Sequence, residues 1–267
     1  MNKQNLVVGL GEIGKPIFHL LSNNTQTSGY DLNPKLMPKP IDVKNLHISF
    51  LHVCIPFSNK FESNVISLYK KFKPEIIVIH STISPYTTEK LQKKLSVPII
   101  YSATRGVHKR MLQDLKRYTK FFAVSKDVPQ HKTATQKFVK LMHKCDVKTR
   151  QISNPLTLEL AKIVVDTSYY GWLINYAQLS NMIARKHTVN YDEMWSFADE
   201  IHKFLGNRPK MFPGFIGGHC VIPNLSLINE ESLWQIDRIN NIYSKKVKDA
   251  KSINKKYDTS KKQSYDV

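Results

Sequence analysis

Short apolar runs alternate with amphipathic stretches through the first 150 residues of the chain. The apolar runs have the length and the β-branched content of buried strands, and the stretches between them repeat apolar positions at helical spacing. Strands that alternate with helices predict a parallel sheet with helices on both faces. The predicted strands are Leu6–Gly9, Thr27–Asp31, Ile48–Ile55, Glu75–His80, Pro98–Ser102, Lys120–Val124 and Asp146–Arg150, and the predicted helices are Ile13–Ser22, Lys60–Phe72, Pro85–Leu95 and Pro129–Lys144.

The pattern becomes entirely helical after Ile152-Ser153-Asn154-Pro155, which can begin a helix because proline is tolerated in the first turn. It predicts a long helix from about Leu156 to Lys186, a second from Tyr191 to Leu205 and a third from about Asn224 to Lys246. A loop rich in glycine and proline, Pro213–Cys220, separates the last two helices.

These patterns predict an α/β fold: an N-terminal Rossmann doubly wound parallel sheet followed by a small all-helical domain. The predicted domains are a sheet domain at residues 1–151, a small helical central domain at 152–243, and a basic, disordered tail at 244–267. The active site is expected in the cleft between the two domains.

Charge and cysteine content narrow the class of protein. The formal net charge is +19, from 40 Lys and Arg against 21 Asp and Glu in 267 residues, and Lys far outnumbers Arg. This charge fits either attraction of phosphorylated or acidic partners or simply lysines spread over solvated faces. No recognition helix, zinc spacing or aromatic–basic segment indicates a nucleic acid partner. Three widely spaced cysteines predict neither a disulfide framework nor a metal site.

One stretch without charge, Thr167–Ala184, is long enough to ask whether it spans a membrane. It contains Asn and Gln side chains, which favour an interface helix over a membrane span. No targeting segment is evident at the N-terminus. We therefore expect a cytoplasmic homodimer that associates through the Leu156–Lys186 helix.

The glycine motif Gly9-Leu10-Gly11-Glu12-Ile13-Gly14 follows the first predicted strand and opens the first helix. Gly9 permits the tight turn, Gly11 lets the backbone approach a pyrophosphate, and Gly14 lets the helix pack closely on the strand. Asp31 ends the next strand, where a carboxylate binds ribose hydroxyls and repels a 2′-phosphate. The motif therefore predicts an NAD site in preference to NADP. The predicted cofactor residues are Gly9, Gly11, Glu12, Ile13, Gly14, Asp31, Ile55, Pro56 and Thr82.

Two further features suggest chemistry. Cys220 follows two glycines and a histidine, and the helix predicted from Asn224 would favour its thiolate. Glu159, Lys162 and Asp166 are spaced to share one face of the long helix, either as a solvated ion-pair stripe or as catalytic groups. Cys54, within an apolar strand, and Cys145, at a helix end, are interpreted as structural.

Several of these pieces together resemble the UDP-glucose/GDP-mannose dehydrogenase family, from the N-terminus to about residue 230. The matching motifs are the glycine motif, His52–Pro56, Ser81–Thr88, the Glu159-x-x-Lys162 helix and, most specifically, Pro213–Cys220. The resemblance implies oxidation of a sugar-nucleotide alcohol by two hydride transfers to NAD, as in polysaccharide biosynthesis. It implies that Cys220 captures the aldehyde as a thiohemiacetal, and that Lys162 stabilises oxyanions.

The chain departs from the family pattern at three positions. Asp166 and Asn224 stand where the family has an amide and a carboxylate, so the two appear exchanged. Thr104 stands where the family has a catalytic Glu, and threonine cannot act as a base at neutral pH. The family's C-terminal nucleotide-binding domain is also expected to be absent, which leaves the substrate open between a nucleotide sugar and another anionic compound.

Two other functions remain as alternatives. One is a one-step dehydrogenase of the 3-hydroxyacid type, in which Lys162 acts without Cys220. The other is a degenerate, non-catalytic NAD-binding module whose basic surface binds an acidic partner or nucleic acid.

Overall fold

The computed structural model describes residues 3–39, 47–205, 213–217, 221–227 and 231–247. The chain forms two compact units, residues 1–162 and residues 163–267. The sequence pattern instead predicts the boundary between the two domains at residues 151 and 152, ten residues or so earlier. The difference arises because the first helix after the sheet packs on the sheet itself, so its residues belong to the first unit.

The first unit is built on a seven-stranded sheet with the order β2-β1-β3-β4-β5-β6-β7. Strands β1 to β5 are parallel, so their carboxyl ends meet at one edge. Because β2 and β3 lie on opposite sides of β1, the chain changes direction across the sheet at this point, which is where doubly wound folds bind ligands. The strands are Lys3–Val8, Thr27–Tyr30, His47–Val53, Ile76–Ile79, Ile99–Tyr101, Lys120–Val124 and Thr149–Gln151.

The doubly wound, mostly parallel sheet agrees with the prediction, and the sixth strand is the point where it departs from parallel pairing. β6 runs antiparallel to β5, and β7 runs parallel to β6. Between β5 and β6 the chain forms a short 3₁₀ turn, His108–Arg110, and a helix, Met111–Arg117, which the sequence pattern did not predict. Because this connection begins and ends at the same edge of the sheet, the strand after it must run in the opposite direction.

Helices cover both faces of the sheet, as predicted. The helices of the first unit are α1 Gly14–Ser22, α2 Phe61–Phe72, α3 Thr87–Lys94, α4 Met111–Arg117, α5 His131–Lys144 and α6 Pro155–Leu160. On one face, α1, α4 and α5 bury Ile17, Leu115 and Phe138 against the strands. On the other face, Val65 and Leu91 are packed with Leu158 from α6. These two layers of apolar side chains form the core of the first unit.

The second unit is helical. A π-helical segment, Ala161–Ser168, spans the division between the units and leads into α7, Tyr169–Lys186, which packs against α11, Glu231–Lys246. Two predicted helices are each divided, into α8 Tyr191–Ser196 and α9 Asp199–Leu205, and into α10 Val221–Leu225 and α11.

Buried amides join parts of the second unit that lie far apart in sequence. Gln178 Nε2 donates to Asn240 Oδ1 at 3.1 Å and to the Gly214 carbonyl at 2.7 Å. The Tyr243 hydroxyl donates to the Pro213 carbonyl at 2.5 Å. These bonds fix residues 213–217 against α7 and α11.

No helix among the described residues is long and apolar enough to cross a membrane. Of the predicted tail at 244–267, residues 244–246 belong to α11 and Val247 is buried, while residues 248–267 lie outside the described residues.

Candidate functional site

The turn after β1 depends on two glycines. Gly9 has φ of +86°, and a Cβ on it would lie 2.9 Å from the Cys54 carbonyl oxygen. A Cβ on Gly14 would lie 1.6 Å from the Gly9 carbonyl oxygen, so no other residue can begin α1 here. A Cβ on Gly11, between them, would meet nothing within 4 Å. The turn therefore packs tightly against neighbouring backbone at Gly9 and Gly14 and leaves open space at Gly11. A phosphate group would approach the N-terminus of α1 through this space.

Asp31 lies directly beside this turn. Its Oδ2 accepts a hydrogen bond from the Leu10 N–H at 2.7 Å, and its Oδ1 accepts one from the Asn33 N–H at 2.8 Å. The Gly9 N–H donates to the Tyr30 carbonyl, so the ends of β1 and β2 are held together. The carboxylate that the sequence assigns to the ribose is thus fixed at the switch point of the sheet.

The other predicted cofactor residues lie along the same edge. Ile13 comes just before α1 and packs against the core. Ile55 and the exposed Pro56 follow β3, and the Ser81 hydroxyl donates to the Ile55 carbonyl at 2.5 Å. Thr82, half-buried, follows β4. The structure therefore brings together at one sheet edge all the residues that the sequence assigns to the cofactor.

Thr104 lies at this edge beyond β5. Its N–H donates to the His80 carbonyl at 3.2 Å, and the side chain is buried. Within the described part of the chain its hydroxyl makes no hydrogen bond. A buried hydroxyl with no partner costs free energy unless something bound nearby satisfies it.

A buried polar row lies in the sheet just below this edge. His52 Nδ1 and His80 Nε2 are 2.9 Å apart, and the Lys120 Nζ donates to the Ser102 carbonyl at 3.1 Å. Burial, followed by the nearby Lys120 charge, lowers the pKa of His52 to about 3 and the pKa of His80 well below its ordinary value. Burial is also the largest cause that lowers the pKa of Lys120 to about 7. The sequence pattern does not indicate this row, because each of its residues occupies a position within a predicted apolar strand.

The three charged residues that the sequence places on one face of the long helix differ in burial. Glu159 is fully buried, and its carboxylate accepts hydrogen bonds from the Tyr86 N–H at 2.7 Å, the Thr88 N–H at 3.0 Å and the Thr88 hydroxyl at 2.6 Å. Lys162 is half-buried and Asp166 is exposed. A solvated ion-pair stripe is therefore wrong for Glu159, which caps the start of α3. From Ala161 the backbone is π-helical, so the α-helical spacing used to align the three residues no longer holds.

The remaining predicted catalytic residues fall in the second unit. Asn224 lies half-buried in α10. Cys220 lies outside the described residues. Asp166 and Asn224 belong to one unit while Thr104 and Lys162 belong to the other.

The two described cysteines have little thiolate character. Burial raises the pKa of the Cys54 thiol to about 12 and raises that of Cys145 above its ordinary value. Both are therefore poor nucleophiles at neutral pH, in agreement with their interpretation as structural. No group of three or more His, Cys, Asp and Glu side chains among the described residues could hold a metal ion.

Several dehydrogenases of known structure share this fold. UDP-D-ManNAc dehydrogenase from Pyrococcus horikoshii has a TM-score of 0.73 and 18% identity, over 90% of this chain and 68% of that one. UDP-glucose dehydrogenase from the hyperthermophilic archaeon Pyrobaculum islandicum has a TM-score of 0.69 and 13% identity, over 91% and 68%. The 3-hydroxyisobutyrate dehydrogenase of Mycobacterium tuberculosis has a TM-score of 0.63 and 14% identity, over 94% and 95%.

The resemblance stated from the sequence is thus confirmed at the level of the fold. No protein-family model matches the chain. No curated protein matches it in sequence either.

Proposed function

We propose that this chain is an NAD-dependent dehydrogenase that oxidises the alcohol of a sugar nucleotide or a related anionic sugar. The observation that carries the proposal is the glycine turn at the switch point, open at Gly11 and flanked by the Asp31 carboxylate. The residues present fit a dinucleotide: free N–H groups at the start of α1 for the diphosphate, and an anionic acceptor for the ribose hydroxyls. NAD, when bound, accepts the hydride.

Lys162 and Cys220 are the residues to which we assign the chemistry. Lys162 offers a fixed positive charge that would stabilise the alkoxide formed as the alcohol loses its proton. The Cys220 thiolate would add to the resulting aldehyde carbonyl to give a thiohemiacetal. Loss of a second hydride, to a second molecule of NAD, and of the hydroxyl proton would give a thioester, which water would cleave to the acid and the free thiol. Asp166 and Asn224 are proposed to supply one carboxylate and one amide near that thiol.

Thr104 bears on the last of these steps. Hydrolysis of a thioester calls for a general base, and a threonine hydroxyl cannot be one at neutral pH. We therefore infer that hydrolysis is slow enough for a covalent adduct on Cys220 to accumulate.

A one-step oxidation of a small hydroxy acid is the second candidate. It is favoured by the structural match to the 3-hydroxyisobutyrate dehydrogenase, which covers 94% of this chain and 95% of that enzyme. In that case Lys162 alone would stabilise the alkoxide, and Cys220 would take no part.

The decisive experiment follows the formation of reduced cofactor by its absorbance with a panel of UDP-sugars, hexose phosphates and hydroxy acids, each with NAD and with NADP. The proposal expects turnover with NAD and an anionic sugar. Cys220→Ser should abolish acid formation but keep NAD binding, and Lys162→Met should impair every hydride transfer. For the native chain mixed with substrate and NAD, intact-protein mass spectrometry should detect the adduct on Cys220.

The alternatives give different results. A one-step hydroxy-acid dehydrogenase would turn over with Cys220→Ser nearly as fast as the native chain, and would show no adduct. A chain that binds NAD but reduces none with any member of the panel would support the non-catalytic module and contradict the proposal.

A further inference from the structure

A basic segment follows β5 and lies beside the glycine turn. Residues 105–110 contain Arg105, His108, Lys109 and Arg110, four basic side chains in six positions. Within this segment His108 contacts the turn, with its Nδ1 3.0 Å from Glu12 Oε2. Glu12 directly follows Gly11, the open position where a phosphate would approach.

A buried carboxylate fixes this segment in place. Asp114, only 1% exposed, accepts from the Val107 N–H at 2.9 Å and from the Arg110 Nε at 3.2 Å. Asp114 belongs to α4, which packs against α1, the helix that the glycine motif opens. The position of His108 relative to the glycine turn is therefore set by helix packing and by a buried anchor rather than by the Glu12 contact alone.

The electrostatics of the turn require a nearby cation. A dinucleotide brings a doubly charged diphosphate to the start of α1, and Glu12 places a carboxylate in the same turn. The negative charges of Glu12 and of the diphosphate repel each other, which weakens binding unless a positive group lies near both. His108 is the basic residue that the described contacts put on that carboxylate.

We propose that His108 binds the diphosphate of the dinucleotide, and that Glu12 holds its imidazole at the mouth of the glycine turn. The inference rests on the proposed NAD site and adds to it a second wall, contributed by the connection between β5 and β6. The α1 N-terminus supplies backbone donors from one side, and His108 supplies an imidazole N–H donor from the other.

The test is a double-mutant cycle at Glu12 and His108, read by calorimetric titration with NAD, ADP-ribose and adenosine. His108→Ala should weaken NAD and ADP-ribose by about tenfold to a hundredfold, the range for a hydrogen bond to a charged group. Adenosine, which has no diphosphate, should bind unchanged. Glu12→Gln should bind NAD at least as tightly as the native chain, because the amide oxygen can still hold the imidazole without the charge.

The combined variant decides between direct and indirect action. If His108 contacts the diphosphate, His108→Ala must still weaken NAD in the Glu12→Gln background. If the loss disappears there, His108 acts only by neutralising Glu12, and the inference is overturned. Lys109→Ala, in the same segment, is the matched control for general loss of positive charge and should change NAD affinity much less than His108→Ala.

The failure of the inference differs from the failure of the proposed function. A native chain that binds ADP-ribose while His108→Ala binds it equally well overturns only the role of His108. A native chain that binds neither NAD nor ADP-ribose overturns the NAD site itself. Thermal unfolding midpoints equal to the native value show that the His108 variant is folded, as expected for a partly exposed side chain.

Discussion

The Asp31 carboxylate has a structural task as well as the proposed one at the ribose. Each of its oxygens already accepts one backbone N–H, from Leu10 and from Asn33. An ionised carboxylate has about four acceptor positions, so two hydrogen bonds leave room for ribose hydroxyls as well. The same side chain can therefore shape the turn and select the cofactor.

This double role predicts the effect of Asp31→Ala. NAD affinity should fall by about tenfold to a hundredfold, since a charged acceptor is lost. NADP affinity should fall much less, because the repulsion of its 2′-phosphate is removed at the same time. Titration of both cofactors against native and variant chains measures the change. Equal losses for the two would show that Asp31 only supports the turn.

Cysteine reactivity gives a second prediction at this scale. Because burial raises the pKa of Cys54 to about 12 and also raises that of Cys145, neither thiol is ionised appreciably near pH 8. If Cys220 is the nucleophile, iodoacetamide should label it first, and saturating substrate should protect it. Peptide mapping by mass spectrometry at short times follows the three sites. Labelling of Cys54 or Cys145 at the rate of Cys220 would contradict an activated thiol.

At the scale of elements, one carboxylate joins two helices. Glu159, near the end of α6, accepts three hydrogen bonds from the residues that begin α3. Two of these donors, the Tyr86 and Thr88 N–H groups, are among the backbone groups that a helix N-terminus leaves unsatisfied, and the third is the Thr88 hydroxyl. The helix that leads to Lys162 is thereby fixed against the loop that carries Thr82.

Glu159→Gln should break this joint. A glutamine amide presents one oxygen instead of two, so at least one of the buried donors is left without an acceptor. We expect the free energy of unfolding to fall by about 1–3 kcal/mol. Urea denaturation measures the loss, and Glu89→Gln, an exposed residue of α3 paired with Lys93, serves as the control. If the two variants are equally stable, Glu159 does not hold the helices together.

The exposed face of α7, Tyr169–Lys186, supports the proposed homodimer. Large apolar side chains recur at alternating spacings of four and three residues, a spacing that forms a continuous seam along a helix. The five residues of this row in α7 are at least 40% exposed in the single chain, which is unusual for a row of this size. The row consists of Tyr169, Trp172, Tyr176, Leu179 and Ile183.

Charge in this row should separate the subunits. The native chain is expected to sediment as a dimer at micromolar concentration. Tyr169→Glu with Leu179→Glu should give a folded monomer, because both side chains are exposed and a buried pair of like charges is strongly unfavourable. Val189→Glu, an exposed apolar position outside the row, is the control and should remain dimeric. A monomeric native chain would rule out the dimer.

The sequence predicted some elements closely and others not at all, for identifiable reasons. Lys120–Val124 was predicted with its observed bounds, because an apolar run between polar residues marks a buried strand. Its antiparallel direction was missed, because periodicity carries no information about direction. Helix α4 was missed because its seven residues are too few and too mixed to show a period. The pairing of His108 with Glu12 was missed because the two residues lie far apart in the sequence. They are brought together by packing between α1 and α4, which local sequence patterns do not predict.

For the whole molecule, the buried row of His52, His80 and Lys120 links stability to pH. The row lies in the sheet of the first unit, with the rings of His52 and His80 stacked 5.2 Å apart. Burial favours the neutral form of each group, so the folded chain holds protons less tightly than the unfolded chain does. The sign of the linkage is therefore the same for all three groups: stability increases with pH wherever the unfolded chain binds more protons.

Two ranges of pH follow from the individual groups. The pKa of His52 is about 3 in the folded chain against 6.5 ordinarily. The unfolded chain therefore takes up a proton that the folded chain does not, and the free energy of unfolding decreases as pH falls from about 6.5 towards 3. The pKa of Lys120 is about 7 against 10.5 ordinarily, so the cost of burying its charge is fully present below pH 7 and is relieved as pH rises toward 10.5. Lys120 thus governs the alkaline side of neutrality, and the histidines govern the acid side.

Lys120→Met tests the alkaline range. Methionine fills a similar volume without a titrating group, so the rise in stability above pH 7 due to Lys120 should disappear. Between pH 7 and pH 9 the native chain should gain about 2 kcal/mol relative to the variant, since each unit of pKa displacement is worth ~1.4 kcal/mol. Urea denaturation of both chains at pH 6, 7, 8 and 9 measures this difference directly, and other titrating groups cancel in the comparison. Lys116→Met, an exposed lysine of α4, is the control and should keep the native slope. Parallel stability curves for native and Lys120→Met chains would mean that the buried ammonium keeps its proton throughout and that its burial is compensated by contacts other than the 3.1 Å bond to Ser102.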